Sequence, residues 1–346
     1  MVAEAKGTLG NISNPRTLDL VGHPLLEREF AVPRVFDNIT PRDIKLWGNH
    51  TVRLRHLLAE REDLFSDESL AKLIETMDPR DLDITTMGDD VSTWGHVDRA
   101  GQPGSKVLDA VRGGRVWINA IAVEKADPRF AELLEQMYRE LGDTMPDFKT
   151  FKRKMCLLIS SPTARVFYHF DVPGQSLWQI KGRKRIWIYP NTEPFLPATS
   201  VENVVRSLAM EDLPYEPWYD EHAEVYDLEP GQMLHWGLNG PHRVQNLDDF
   251  SISLTTEHWT DHVRRSYARH YGNGILRNVL HWKPRSSSLD GPAFWAKAGL
   301  TAAWRKSGMQ KKQGYKRTMS YKIDPQAPLG VVPIAEQDRA TVSHLS

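Results

Sequence analysis

Residues 166–190 read VFYHFDVPGQSLWQIKGRKRIWIYP. The stretch is dense in β-branched and aromatic residues and carries turn signals at Pro173–Gly174 and at Gly182. It therefore predicts consecutive short strands joined by tight turns. His169 and Asp171 stand two apart on the first strand. Side chains two apart on a strand share a face, so an imidazole and a carboxylate converge on one point.

Working outward, similar runs recur: MCLLIS (155–160), RVFYHF (165–170), EVYDL (224–228), QMLHW (232–236), HRVQN (242–246) and FSISLTT (250–256). Many short strands separated by Gly and Pro turns predict a double-stranded β-helix, or jelly-roll, core over residues 116–260. Residues 1–115 read as a mixed α/β region. Within it Ser66 caps a helix with Leu70, Leu73, Ile74 and Met77 on one face, and residues 86–106 read as loop. Residues 116–123 read as a strand. Asp127 and Pro128 then open a helix bearing Phe130, Leu133, Leu134, Met137 and Leu141, with Gly142 at its stop. Residues 261–346 read as a helical C-terminal region, with helices over 261–280 and 292–307 and an extended Pro-rich tail beyond Asp324. The expected class is mainly β with α additions.

A second imidazole beside His169 and Asp171 would complete a two-histidine, one-carboxylate facial triad, which leaves three open positions on an octahedral iron(II). Candidates for it are His222, His235, His242, His258 and His262. His242 is preferred because it opens a strand after the turn Glu229-Pro230-Gly231 and the strand 232–236. His235, seven residues earlier, is the rival. His96-Val-Asp98 has the same two-residue spacing but lies in a Gly-rich stretch without a strand pattern, so spacing alone is weak evidence. Thirteen histidines among 346 residues make the same point: context, not number, selects ligands. Trp178 and Trp236 are candidate pocket walls.

Composition narrows the function classes. Hydrophobic residues make up 40% of the chain, enough for a sizeable core, and the formal charge of −1 argues against a general attraction to nucleic acid or membrane. Cys156 is the single cysteine, which excludes an internal disulfide, a Cys-rich zinc site and an iron–sulfur cluster. MVAEAKGTLGN lacks the basic-then-apolar pattern of a secretory signal, and no apolar run approaches a membrane span, so a cytoplasmic protein is expected. The basic run Arg305, Lys306, Lys311, Lys312, Lys316, Arg317 reads as a solvated helix end, without a nucleic-acid-binding motif beside it. Neither a GxxxxGK[ST] phosphate loop nor a GxSxG nucleophile elbow is found. Phe294, Leu300 and Trp304 suit the tail helices to cap the core or to pair two copies of the chain.

HFD (169–171), LWQIKGRKRIWIYP (177–190) and EPGQMLHWGLNGPHRVQN (229–246) together resemble the cupin-like jumonji (JmjC-type) oxygenases, in particular their bacterial cupin-like subgroup. The asparaginyl hydroxylase that inhibits hypoxia-inducible factor belongs to the same superfamily. The resemblance covers about residues 117–259. It implies iron(II) held by His169, Asp171 and His242, 2-oxoglutarate as cosubstrate, and hydroxylation or demethylation of a protein or small-molecule substrate. It also implies that Lys184, fifteen residues after His169, binds the distal carboxylate of 2-oxoglutarate; Lys181 and Arg185 are weaker candidates. Several family members carry a cosubstrate-binding threonine three residues before the first ligand, where this chain has Val166. Asn119, Tyr168, Gln175 and Ser253 are the candidates to replace it. Two other readings stay open at this point: a non-oxidative binding or regulatory protein on the same scaffold, and a metal-dependent cupin enzyme that does not use 2-oxoglutarate.

Overall fold

The structure is a computed structural model that describes residues 34–87, 94–247, 249–309 and 315–344. The stretch read for a secretory signal, residues 88–93 of the expected loop, and Lys311 and Lys312 of the basic run lie outside them.

The chain begins with β1 (Phe36–Asn38), α1 (Pro41–Leu46), β2 (Val52–His56), α2 (Glu62–Phe65), α3 (Asp67–Thr76), β3 (Leu82–Thr86), β4 (Gly95–Asp98) and α4 (Gly104–Gly113). Next come β5 (Val116–Ala120), α5 (Val123–Ala126) and α6 (Pro128–Thr144). The central strands are β6 (Phe151–Ser160), β7 (Arg165–His169), β8 (Gly174–Lys181), β9 (Lys184–Ile188), β10 (Glu224–Leu228), β11 (Gln232–His235), β12 (His242–Asn246) and β13 (Ser251–Trp259), with α7 (Ala198–Val205) between β9 and β10. The chain closes with α8 (Asp261–Asn278), α9 (Gly291–Lys306), β14 (Tyr315–Ile323), β15 (Val331–Pro333) and β16 (Thr341–His344).

Local chemistry explains many boundaries. The Ser66 hydroxyl accepts from Ser69 N at 3.3 Å and starts α3. Asp127 caps α6, with Pro128 at its first position, where a missing N–H costs nothing. α6 continues through Gly142 to Thr144 rather than stopping at the glycine. Buried Met145, whose N–H bonds Leu141 O at 2.8 Å, holds that last turn. The strand from Val116 ends at Ala120, three residues early, because Ala122 takes a left-handed conformation and starts α5.

The larger sheet has the order β1-β2-β11-β8-β13-β6-β5-β3-β4-β14-β15, with β16 on β14; the smaller has the order β10-β9-β12-β7. Two expectations need correction. Residues 86–106 hold β4 and the start of α4, and the tail contributes strands as well as helices. β14 joins β4 in parallel, Met319 opposite His96, a pairing across more than 200 residues. Arg317 leaves the expected solvated run: its guanidinium is buried, donates to Leu82 O at 3.2 Å and lies 3.6 Å from Asp83.

Three apolar clusters fill three spaces. One, with Met155, Leu157, Ile159, Trp178 and Leu254, packs the outer face of the larger sheet against α3, α4 and α6. A second packs Tyr168 and Phe170 of the smaller sheet's edge against α7 and α8. A third, with Leu177, Ile186, Leu234 and Trp236, lies between the sheets. No helix of the described residues is long and apolar enough to cross a membrane.

Burial lowers the imidazoles of His56 and His235 to about 4 and that of His258 to about 3, so all three are neutral in the fold. The unfolded chain takes up protons near pH 6.5 that the folded chain refuses. Stability present above pH 6.5 is therefore lost as pH falls toward 4, by up to ~1.4 kcal/mol per pH unit for each histidine. Urea unfolding between pH 7 and pH 5 should show this decline, and His258→Gln should make it shallower. An unchanged slope in that variant would contradict the account.

Candidate metal centre

Side chains from both sheets line a cavity of about 580 Å³. Period-two alternation decides which residues enter it. β6 points Lys154, Cys156 and Leu158 inward, while Met155, Leu157 and Ile159 face the helical layer. β5 presents Trp117 and Asn119 in the same way.

His169 ends β7 and stands opposite His242, the first residue of β12. Asp171 follows two residues later, with Phe170 between them turned into the apolar cluster on the other side. Their ligand atoms and that of His242 all lie within 4.8 Å of one another, the one such group among the described residues. His242 Nε2 is 3.5 Å from Asp171 Oδ2, and the two imidazole centroids are 4.1 Å apart. His169 Nδ1 donates to Phe167 O at 2.7 Å and His242 Nδ1 to Gly240 O at 3.1 Å. A carbonyl can only accept, so each Nδ1 carries a proton, which makes Nε2 the nitrogen that an ion would take. Burial first, then the neighbouring His169, lowers His242 to about 4, which keeps it neutral. Asp171 Oδ2 is buried without a hydrogen-bond partner among the described residues. An orphaned carboxylate oxygen beside two imidazoles fits a divalent cation. Ligands ~2.1 Å from a shared ion would lie about 3 Å apart, which the 3.5 Å between His242 Nε2 and Asp171 Oδ2 approaches.

Lys184 opens β9, paired with Asn246 at the far end of the strand that begins at His242. It is 3% exposed and lines the cavity with Ile186, whereas Arg185 and Trp187 point away. Burial alone lowers its ammonium to about 8, and no carboxylate pairs with it among the described residues. Arg185 is bound to Asp227 at 2.6 and 2.7 Å, and Lys181 is exposed beside Phe250, so neither competes for the cavity.

The other expected site residues divide. Asn119 and Gln175 line the cavity, each with a buried amide oxygen lacking a partner. Asn119 is in register with Leu158 and Ser253 toward the Lys184 end; Gln175 is in register with Glu257 toward the ligand end. Tyr168 faces the opposite way, its hydroxyl donating to Phe195 O at 2.8 Å. Ser253 lies beneath the cavity, engaged at 2.8 Å with Gln179 Oε1. Val166 is an apolar stretch of the wall.

His235 is on the outer face of the larger sheet, stacked on Trp47 at 4.0 Å, because it alternates with inward-facing Leu234 and Trp236. His258 shares that face and contacts Tyr138 Oη at 3.1 Å. Trp178 does too, donating to Thr256 Oγ1 at 3.0 Å, so it is no cavity wall. Trp236 is one, and packs 4.7 Å from the His242 ring. His222 packs against Phe195 and Trp218, and His262 is exposed on α8. His96 lines the cavity but pairs with Asp83 at 2.9 Å, while Asp98 is exposed.

Sequence reasoning missed several cavity residues. Lys154 and Glu257 form an ion pair of 2.8 Å in its wall. Glu211 sits on a segment bridged to β7, Asp212 opposite His169. Partial desolvation at the cavity lining, then the carboxylates of Asp171 and Glu257, push the Glu211 carboxyl up, although the residue as a whole stays exposed. Trp94, Trp117 and Phe167 form an aromatic wall with centroids 5.7–5.8 Å apart. Inward alternation on β5 and β6 could have flagged Trp117 and Lys154; Glu211 and Trp94 sit in irregular segments with no periodic signal.

No family model matches the chain, and no curated protein matches it. Among solved structures, the ribosomal oxygenase YcfD from Escherichia coli in complex with cobalt and 2-oxoglutarate is 17% identical, over 75% of this chain and 62% of that one, with a TM-score of 0.46. The same protein with cobalt and succinic acid is 17% identical over 78% and 67%, TM-score 0.46. This chain thus spans about 62% of the length of the first of these.

Cobalt(II) titration should find one site per chain. Asp171→Ala or His169→Ala should weaken it by more than the ~10–100-fold that loss of an outer partner costs. His235→Ala, on the far face, should leave it unchanged; an equal loss there would move the site.

Proposed function

We propose that the chain is an iron(II)- and 2-oxoglutarate-dependent oxygenase of the cupin-like jumonji type. The observation that carries this reading is one cavity with two unlike ends. Two histidines and a carboxylate with a buried, unbonded oxygen converge at one end, and a buried lysine without a carboxylate partner among the described residues stands at the other. The connectivity supports the same reading. β6, β8, β11 and β13 belong to the larger sheet and β7, β9, β10 and β12 to the smaller, a distribution in keeping with the double-stranded β-helix of that type.

Along β12, four residues separate His242 from the position opposite Lys184, about 13 Å of strand at ~3.3 Å per residue. A five-carbon dicarboxylate held by its keto-acid end at the ion, with the lysine reaching in from the other side, suits that span. Bound there, iron(II) and 2-oxoglutarate would supply dioxygen activation, coupled to oxidative decarboxylation to succinate and oxidation of a substrate C–H bond.

The chain's own residues set the conditions. His169, Asp171 and His242 would hold the ion by three contacts and leave three positions open. Lys184 would pair with the distal carboxylate, a charge-assisted contact in a dry setting. Val166, Leu177, Ile186 and Val244 give apolar walls that exclude water. Asn119 lies toward the lysine end and would supply the hydrogen bond that Val166 cannot. Any substrate would meet Trp94, Trp117 and Phe167.

Anaerobic protein with iron(II) and 2-oxoglutarate should show a weak visible charge-transfer band, absent in Asp171→Ala. Lys184→Met should weaken 2-oxoglutarate binding ~10–100-fold, the equivalent of a charged hydrogen bond. Iron bound without the band would favour a metal enzyme that does not use 2-oxoglutarate. No bound metal would leave a binding protein.

A pH dependence follows from Lys184. Above about pH 8 the free ammonium loses its proton, so binding the dianion must take one up again. Wild-type affinity for 2-oxoglutarate should fall by up to ~10-fold per pH unit from pH 8 upward, while Lys184→Met stays flat over that range. Parallel profiles would exclude Lys184 as the carboxylate partner.

A further inference from the structure

Asp171 lies just beyond β7, in the short connection through Val172 and Pro173 to β8. Strand pairing therefore does not fix its backbone as it fixes those of His169 and His242, which are paired with each other. The backbone is held instead by a side chain from the turn between β11 and β12. Asn239 Nδ2 donates to Asp171 O at 2.7 Å and reaches Val172 O at 3.2 Å. The next residue of the same turn, Gly240, supplies the carbonyl that orients His242. One turn thus touches two of the three ligands.

The turn is itself braced. Gly240 N bonds Gly237 O at 2.9 Å, Tyr189 N bonds Pro241 O at 2.9 Å, and Asn191 Nδ2 bonds Leu238 O at 3.1 Å. Asn239 has φ of 56°, in the left-handed region that asparagine tolerates better than most residues. Its side chain also suits the task. An amide has two N–H donors for two carbonyls, aspartate would set an acceptor against acceptors, and glycine would keep the turn while releasing the carbonyls.

We propose that Asn239 is a positioning residue for Asp171: its amide fixes the 171–172 backbone so that the carboxylate meets the imidazoles of His169 and His242. This rests on the metal-site reading above. The prediction is specific to Asp171. Loss of the Asn239 side chain should weaken metal binding only while the Asp171 carboxylate is there to be aimed.

The test is a double-mutant cycle on the full chain, read by cobalt(II) titration, with metal-free thermal unfolding recorded for each variant. Asn239→Gly keeps the left-handed turn and should weaken cobalt binding ~10–100-fold, the range for outer partners of a ligand. In an Asp171→Ala background the same substitution should have no further effect. Asn239→Asp, similar in size and tolerant of the same backbone, guards against misfolding of the glycine variant and should weaken binding at least as much. If wild type binds no cobalt, the metal-site reading falls and this inference falls with it. If wild type binds and both Asn239 variants bind equally well, the metal centre stands and Asn239 has no positioning role. If the losses from Asn239→Gly and Asp171→Ala simply add, Asn239 acts elsewhere, which also overturns the inference.

Discussion

Alternation of side chains along strands that face one another is the constraint on which the rest of this structure depends. Most inner strands send every second residue into the cavity and turn the others away from it, while an irregularity in the pairing of β7 with β12 lets both Val166 and Phe167 reach the wall. On β9 this admits Lys184 and Ile186 and turns Arg185 and Trp187 out. On β7 it presents His169 and buries Tyr168 in the aromatic cluster behind. A slip of one residue in either strand would exchange the chemistry of the cavity for a Tyr or an Arg. The outer faces are heavily apolar, with Met155, Leu157, Ile159 and Leu254 at most 0% exposed, so such a slip would also expose core.

The space between the sheets handles polar groups in two opposite ways. Below the cavity, the Gln179 amide reaches Lys181 O, Gly182 O and Ser251 Oγ and accepts from Ser253, while Asn246 donates to Ser160 and Ser161. Those groups are satisfied and make a closed polar plug. In the cavity, Asp171 Oδ2, Asn119 Oδ1 and Gln175 Oε1 have no partner, and Lys184 has no counter-charge among the described residues. Each buried group left unsatisfied costs about 1–3 kcal/mol. A local exception to the rule that buried polar groups are paired is expected where a ligand completes the pairing. The contrast between plug and cavity sets the unpaired groups apart.

Much of this was legible in the chain. The strands from 155 to 256, the caps at Ser66 and Asp127, and the shared face of His169 and Asp171 are local properties of residue type and spacing. The strand and turn context that singled out His242 and Lys184 is local too; the structure places His242 beside His169 and Asp171 and Lys184 in the cavity wall, with His235 and Arg185 on other faces. Tyr168, Trp178 and Ser253 were misplaced for one reason: polarity and aromaticity do not say which face of a strand meets the cavity, nor how deep along it a residue sits. β4 and β14 were missed because their pairing partners are over 200 residues apart and neither has a strong local pattern. Arg317 read as part of a basic surface until that pairing buried it beneath β3.

The sequence by itself determined the strand-rich core, the helices flanking it and the small set of residues able to bind a metal, because hydrophobic period, caps and donor type act over a few residues. Only the tertiary structure decided that His169, Asp171 and His242 meet, that Lys184 is buried without a counter-charge among the described residues, and that Asn239 holds Asp171 from another strand's turn. Those facts depend on the register between strands distant in the chain. Register is set by which faces must be buried against which neighbours, a property of the whole assembly that no local window of sequence contains.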